Sequence, residues 1–288
     1  MSRHHLIATG CDAAHFELAE DLVASIRAAC GASYSIGFVR FCNTPLPNTI
    51  ASQADLVVSC SDAYSQFNGV NGFYSAFGSI KPRIPTLFPG YNIYTWIDAD
   101  CWIQNDSALN KMEGASENFD ICIHPEYDIH YFKTSTPTDR TISIYQWAMP
   151  KNTDAKIIRK PMFNTGVVSA RRDSKIWNMW ETALLELRMR YDRGEASFFS
   201  DQIPLHYLIH TENISVFPLR ATDNWQTYAC APRLRIDSRK LCVPTFPHEE
   251  ISIIHLAGPV KDSYFDLAGQ QTRLRYRDFT KTMQRISS

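Results

Sequence analysis

Pro89-Gly90-Tyr91-Asn92-Ile93-Tyr94-Thr95-Trp96-Ile97-Asp98-Ala99-Asp100 decides how the whole chain is read. A Pro-Gly break leads into a run rich in β-branched and aromatic residues, which is the composition of a central strand. Two carboxylates, one residue apart, leave that strand. Ionised groups beside a buried strand are costly unless something compensates them. An i, i+2 pair leaving a strand can point the same way, and a divalent cation held by oxygen ligands is one natural compensator. Asp-x-Asp is also ordinary turn and helix-capping chemistry, so by itself it leaves both readings open.

Working outward, the first half alternates strand and helix. Leu6 to Thr9 reads as a buried strand. Ala13 to Ala29 carries Leu18, Leu22, Val23 and Ile26 at helical spacing and stops near Gly31. Tyr34 to Phe41, Leu56 to Val58 and Asp120 to His124 are further strands, and 72–88 reads as helix interrupted near Lys81-Pro82. This rhythm predicts an α/β fold, a Rossmann-like, mostly parallel sheet flanked by helices, with ligands at the strands' carboxyl ends. Residues 125–160 lack periodicity and read as an inserted loop region. Phe163 to Ala170 is strand-like. Asp173 is positioned to N-cap a helix with Ile176, Trp180, Leu184 and Leu187 on one face and Gly194 beyond its end. Residues 219–250 hold few clear elements, Ile251 to His255 is a short strand, and 264–288 is expected to end the chain as helix. Without repeats or linkers, 1–288 reads as a single domain.

Bulk properties narrow the function. The chain has 288 residues, 44% of them hydrophobic, enough for a large core. A net charge of −1 gives no general pull toward nucleic acid. The apolar stretch after Met1 is too short for a secretory signal, and no run is long enough to span a bilayer. Eight scattered cysteines lack zinc-site spacing and read as buried free thiols in a reducing cytoplasm.

Three other features bear on chemistry. His255-Leu256-Ala257-Gly258-Pro259-Val260-Lys261 places an imidazole at a strand end, then a glycine, then a lysine. A neutral imidazole suits Mn2+, Lys is a point-charge phosphate binder, and glycine lets backbone pass close to a phosphate. Phe163-Asn164-Thr165-Gly166-Val167 and Ser200-Asp201-Gln202 are the others. Each has a plain structural reading: a satisfied strand-end histidine, a surface lysine, a turn, a helix start.

Their order along the chain resembles the family-8 retaining glycosyltransferases, which include glycogenin and bacterial lipopolysaccharide galactosyltransferases. The likeness begins at Leu6-Ile7-Ala8-Thr9-Gly10-Cys11-Asp12 and continues through Lys81-Pro82-Arg83-Ile84-Pro85 to Lys261. The resemblance implies a GT-A fold, a UDP-sugar donor, a glycan or glycolipid acceptor, and Mn2+ or Mg2+. It makes Asp98, Asp100 and His255 the metal ligands and sets Gly258 and Lys261 against the diphosphate. Lys81 falls near diphosphate and sugar, and Asn164 and Asp201 among the sugar hydroxyls. Gln202 falls beneath the anomeric carbon, and Ala8, Thr9 and Asp12 at the uridine, with His15 or Phe16 as a stacking ring. The chain departs from the family where Ile203-Pro204 follows Asp201-Gln202 and where Asp262-Ser263 follows Lys261.

Retention by same-face attack is favoured over double displacement, because Gln202 is a poor nucleophile; Asp201 is the alternative nucleophile. A sugar-1-phosphate nucleotidyltransferase is the rival enzyme, although Thr9-Gly10-Cys11-Asp12 lacks the glycine-rich basic loop it needs. A non-catalytic nucleotide-sugar or carbohydrate binder is the rival outside catalysis. Finally, 270–288 carries Arg273, Arg275, Arg277, Lys281 and Arg285 with Tyr276, Phe279, Met283 and Ile286 at helical spacing. That basic amphipathic helix suits peripheral contact with an anionic membrane, or else a core-packed helix with a solvated basic face.

Overall fold

The chain enters a strand at Tyr91 and leaves it at Ile97, burying every residue but Asn92. The computed structural model describes residues 3–60, 78–131, 145, 148–150, 153–196, 199–267 and 269–287. In chain order the first strands are β1 (Arg3–Cys11), β2 (Ser35–Arg40), β3 (Leu56–Ser59), β4 (Tyr91–Ile97) and β5 (Cys101–Ile103). They are followed by β6 (Ile121–Pro125), β7 (Phe163–Arg171), β8 (Val216–Pro218) and β9 (Trp225–Gln226). The last are β10 (Arg233–Arg235), β11 (Lys240–Cys242), β12 (Ile253–His255), β13 (Tyr264–Leu267) and β14 (Gln270–Arg273). The helices are α1 (Phe16–Cys30), α2 (Asn48–Gln53), α3 (Ile84–Leu87) and α4 (Ser107–Ser116). Then come α5 (Ala155–Ile158), α6 (Ile176–Asp192), α7 (Gln202–Thr211) and α8 (Tyr276–Ser287).

The main sheet runs β3-β2-β1-β4-β7-β6-β8, and the expected α/β architecture forms. Its pairs are parallel except at β7, which lies antiparallel between β4 and β6. Side chains alternate between two cores, as strand geometry requires. Leu6 and Ala8 of β1 join Trp180, Leu184 and Leu187 of α6 on one face. Ile7 joins Leu22, Val23 and Ile26 of α1 and Met112 of α4 on the other. A smaller sheet, β5-β12-β9, hangs from the carboxyl end of β4. It ties Cys101–Ile103 to Ile253–His255 in antiparallel register, with His255 opposite Cys101. That pairing brings residue 255 back beside residue 100.

Several expectations are corrected. Asp173 does not cap α6: the N-cap is Lys175, and Asp173 instead forms an ion pair with Arg171 at 2.9 Å. Gly194 does lie past the helix, with a φ of 71°. The helix expected over 264–288 begins only at Tyr276, because β13 and β14 form an antiparallel hairpin ahead of it. Of the loop region 125–160, the described part includes α5; its remainder lies outside the described residues, as do 72–77 of the helix expected over 72–88.

The basic terminal segment is drawn onto the protein. Arg277 Nε pairs with Asp21 Oδ1 at 2.7 Å and Arg275 with Glu17 at 2.8 Å, both on α1. Phe279 and Met283 are buried in the core around Trp102. Among the described residues no helix is long and apolar enough to cross a membrane.

Candidate active site

A cleft of about 890 Å³ opens at the carboxyl ends of β1 and β4. Its walls include Gly10, His15, Lys81, Asp98, Asp100, Asn164, Asp201, Gln202, His255, Gly258 and Lys261. Residues far apart in sequence therefore meet where the parallel strands end.

Asp100 is the hub. Its Oδ1 lies 3.3 Å from His255 Nε2, and its Oδ2 lies 2.5 Å from Lys261 Nζ. Burial alone would raise the Asp100 carboxyl, but His255 and Lys261 outweigh it and hold the group well below the usual carboxylate range. The turn is locked by backbone bonds from Cys101 N to Asp98 O and from Leu256 N to Asp100 O, both 2.9 Å.

Asp98 faces another way. Its Oδ1 accepts from Trp96 Nε1 at 2.7 Å and pairs with Lys81 Nζ at 3.0 Å. Lys81 is buried between Asp98 and Asp201, with Asp201 Oδ2 at 2.9 Å. Burial works against that ammonium, yet the two carboxylates more than offset it and raise its pKa above the ordinary lysine value. Asp201 is likewise lowered: burial opposes its charge, and Lys81 outweighs burial. Asp201 occupies the N-cap of α7 without capping it through its side chain, because the carboxylate is held by Lys81 and by Thr165 Oγ1, which donates at 2.7 Å.

Two asparagines orient His255. Asn224, which lies outside every motif, places its Oδ1 2.9 Å from His255 Nδ1. Asn224 Nδ2 donates to Asn164 Oδ1 at 2.9 Å, and that oxygen also accepts from Gly166 N at 3.0 Å. The Gly166 N–H can only donate, so Asn164 turns its oxygen toward Asn224, Asn224 turns its own oxygen toward His255, and Nδ1 carries the imidazole proton. Nε2, the other ring nitrogen, then faces the carboxylate oxygen of Asp100 at 3.3 Å. A proton on that nitrogen, or a cation in its place, is what can join it to the carboxylate.

A metal fits that arrangement. A carboxylate oxygen and an imidazole nitrogen form a donor set suited to a divalent ion such as Mn2+. Asp100, Cys101 and His255 offer ligand atoms within 4.8 Å of one another. Cys101 is the weakest of these, since burial pushes its thiol well above the ordinary range and its side chain belongs to an apolar cluster. Thus Asp100 and His255 are brought together, whereas the Asp98 carboxylate is engaged by Lys81.

The uridine-side expectations divide similarly. Ala8 and Thr9 are fully buried inside β1, so the cleft wall is made by Gly10 and Cys11 instead. Phe16 packs in a core with Phe38 and Ile50, which leaves His15 as the ring on the cleft. Asp12 is not at the wall; its Oδ1 holds His15 Nδ1 at 2.7 Å. Gly258, with a φ of 74°, lets the chain turn from β12 back over the cleft toward Lys261.

Gly166 is required by the packing. A Cβ there would clash with His255 Cε1 and lie 2.9 Å from Asn164 Oδ1. Gly166→Ala is expected to displace the imidazole and, if Asp100 and His255 hold a divalent ion as their donor set allows, to weaken Mn2+ binding by about 10- to 100-fold while the protein still melts cooperatively. Calorimetry showing unchanged Mn2+ binding would mean that His255 is no ligand.

The fold is that of GT-A glycosyltransferases, which the comparison with solved structures makes specific. The chain is similar to galactosyltransferase LgtC in complex with donor and acceptor sugar analogues, at 11% identity and a TM-score of 0.58 over 98% of this chain and 96% of that one. Mouse xyloside xylosyltransferase 1 matches at 12% identity and a TM-score of 0.55 over 88% and 97%. The bifunctional glycosyltransferase WbbM matches at 14% identity and a TM-score of 0.56; the alignment takes in the whole of this chain but 52% of WbbM. No protein-family model and no curated protein matches the chain by sequence.

Proposed function

We propose that the chain is a metal-dependent, retaining glycosyltransferase that moves a hexose from a UDP-sugar to a hydroxyl of a glycan or glycolipid acceptor. The observation that carries this reading is His255 Nε2 set 3.3 Å from Asp100 Oδ1, with Lys261 on the other oxygen, in a cleft at the strand ends. The GT-A fold supports it.

Asp100 and His255 would hold the cation, while Asp98, also on the cleft wall, is engaged by Lys81. Imidazole among the ligands favours Mn2+ over Mg2+, which prefers all-oxygen surroundings. Bound there, a divalent ion would supply Lewis-acid stabilisation of the nucleoside diphosphate leaving group. Lys261 adds a positive charge on the same side, and Gly258 gives the backbone room. Gln202 presents a carbonyl oxygen to the cleft, where partial negative charge stabilises an oxocarbenium-like sugar. Asn164 and Asp201 order the same wall.

Asp201 is poorly suited to act as nucleophile. One of its oxygens already accepts from Thr165 and pairs with buried Lys81, which lowers its basicity. That supports same-face attack, with the departing phosphate oxygen taking the acceptor proton. A cytoplasmic setting agrees with eight free cysteines. The basic terminal segment adds no support for a membrane contact, because Arg275 and Arg277 already meet acids of α1.

The test is UDP release from a panel of UDP-sugars with Mn2+, with and without chelator. Chelator-sensitive release is expected. Pyrophosphate formation would instead indicate a nucleotidyltransferase, and binding without turnover a sugar-nucleotide binder. Lys261→Ala is expected to lose about 2–4 kcal/mol of transition-state stabilisation, as for removal of one oxyanion-type donor. Full turnover in that variant would remove Lys261 from the site.

A further inference from the structure

Glu126 follows β6 directly, at the same edge of the sheet where Asp98 follows β4. Its Oε1 accepts from Asn164 Nδ2 at 3.0 Å and from Gln202 Nε2 at 3.2 Å. Backbone groups decide how both amides are turned. Gly166 N donates to Asn164 Oδ1, so Asn164 must show its NH2 to Glu126. Phe163 O accepts from Gln202 Nε2 at 3.0 Å, so Gln202 also shows its NH2 to Glu126 and leaves its carbonyl oxygen for the cleft. Beyond Asn164 the series continues through Asn224 Nδ2 to the proton on His255 Nδ1. Each donor from His255 to Asn164 points toward Glu126, and Gln202 donates to it from the other side.

We propose that Glu126 is a positioning residue: it ends a one-way hydrogen-bond chain that holds Asn164 and Gln202 in place and keeps His255 Nε2 turned to Asp100. The inference rests on the glycosyltransferase reading and deepens it. What the role requires is an acceptor oxygen rather than a charge. Burial raises the Glu126 carboxyl, and the hydrogen bonds from Asn164 and Gln202 offset only part of that rise. Without Glu126 the Asn164 NH2 loses its acceptor and Gln202 keeps one restraint, from Phe163 O. A general base or a covalent nucleophile would instead need the anion.

Glutamine supplies the acceptor oxygen without the charge, which makes the test decisive. Glu126→Ala is expected to lower turnover at saturating donor by about 10- to 100-fold, because it leaves a buried donor unpaired. Glu126→Gln should stay within about fivefold of wild type, since its carbonyl oxygen takes over as acceptor. In a Gln202→Ala background, Glu126→Ala should cost markedly less than it does alone, the signature of two residues acting as a unit. Calorimetry of UDP binding at graded Mn2+ gives a readout independent of turnover. Glu126→Ala should need more Mn2+ for half-saturation, and Glu126→Gln should not. Thermal melts confirm folding, and if Glu126→Ala does not fold, the folded Glu126→Gln protein carries the test. Glu126→Gln as inactive as Ala, Glu126→Ala fully active, or strict additivity with Gln202→Ala overturns the role. Absence of Mn2+-dependent UDP release from the wild-type chain refutes the transferase reading itself.

Discussion

Asp100→Asn is expected to abolish chelator-sensitive turnover, with kcat/KM falling by at least about a thousandfold, a loss of ~4 kcal/mol of transition-state stabilisation. The substitution is nearly isosteric, so the cleft keeps its shape. What changes is charge. The carboxylate that faces His255 at 3.3 Å and Lys261 at 2.5 Å becomes a neutral amide, leaving the imidazole and ammonium without their common anion. The amide also adds a donor where a cation needs an acceptor. UDP affinity measured by calorimetry should then lose its dependence on Mn2+. Unchanged metal dependence would place the ion elsewhere.

Lys81→Met is expected to lower stability by about 3–5 kcal/mol, the cost of leaving one side of a buried ion pair uncompensated. The melting temperature should fall by roughly 5–15 °C. Lys81 stands between Asp98 and Asp201, and its removal turns two attractions into a repulsion between carboxylates. The sign with pH follows from the shifts. Asp201 is lowered in the folded protein, so its share is present above the ordinary carboxylate value of about 4 and is lost as pH falls below it. Lys81 is raised, so its share is present below the ordinary lysine value of about 10.4 and is lost only at higher pH. The gap between wild type and Lys81→Met should therefore be widest near neutrality and narrow on acidification. Melting curves from pH 3 to pH 8 check this; a gap that grows in acid would contradict the pairing.

The amino-acid sequence carries much of this fold and site on its face. Tyr91 to Ile97 reads as a buried strand because its composition and its Pro-Gly entry agree, and it forms with those ends. The convergence of Asp100, His255 and Lys261 is implied by the family resemblance that the order of four motifs carries, not by any one of them. Composition does not show direction: Phe163 to Ala170 looks the same in either orientation, and its antiparallel insertion between β4 and β6 depends on the chain that precedes it. The hairpin of β13 and β14 is hidden for a similar reason, since Tyr264 to Arg273 carries no turn signal except Gly269, and helical spacing in 276–286 invites extension backward. Asp173 has the chemistry of a cap but is drawn to Arg171.

Glu126 and Asn224 belong to no motif. Glu126 sits in Pro125-Glu126-Tyr127-Asp128, where acidic loop residues are ordinary. Its position one residue beyond β6 is its one signal, because parallel strands deliver functional side chains at their carboxyl ends. Asn224 has no comparable marker: its importance comes from the β9–β12 pairing, a long-range contact that places Gln226 beside His255.

The most direct test of the proposed metal centre is anomalous diffraction at the manganese edge from crystals soaked with Mn2+ and UDP. A single strong peak within coordination distance of Asp100 and His255, with Lys261 withdrawn from Asp100 toward the phosphates, is the expected result. UDP seated in the cleft with no peak beside those two residues would contradict it.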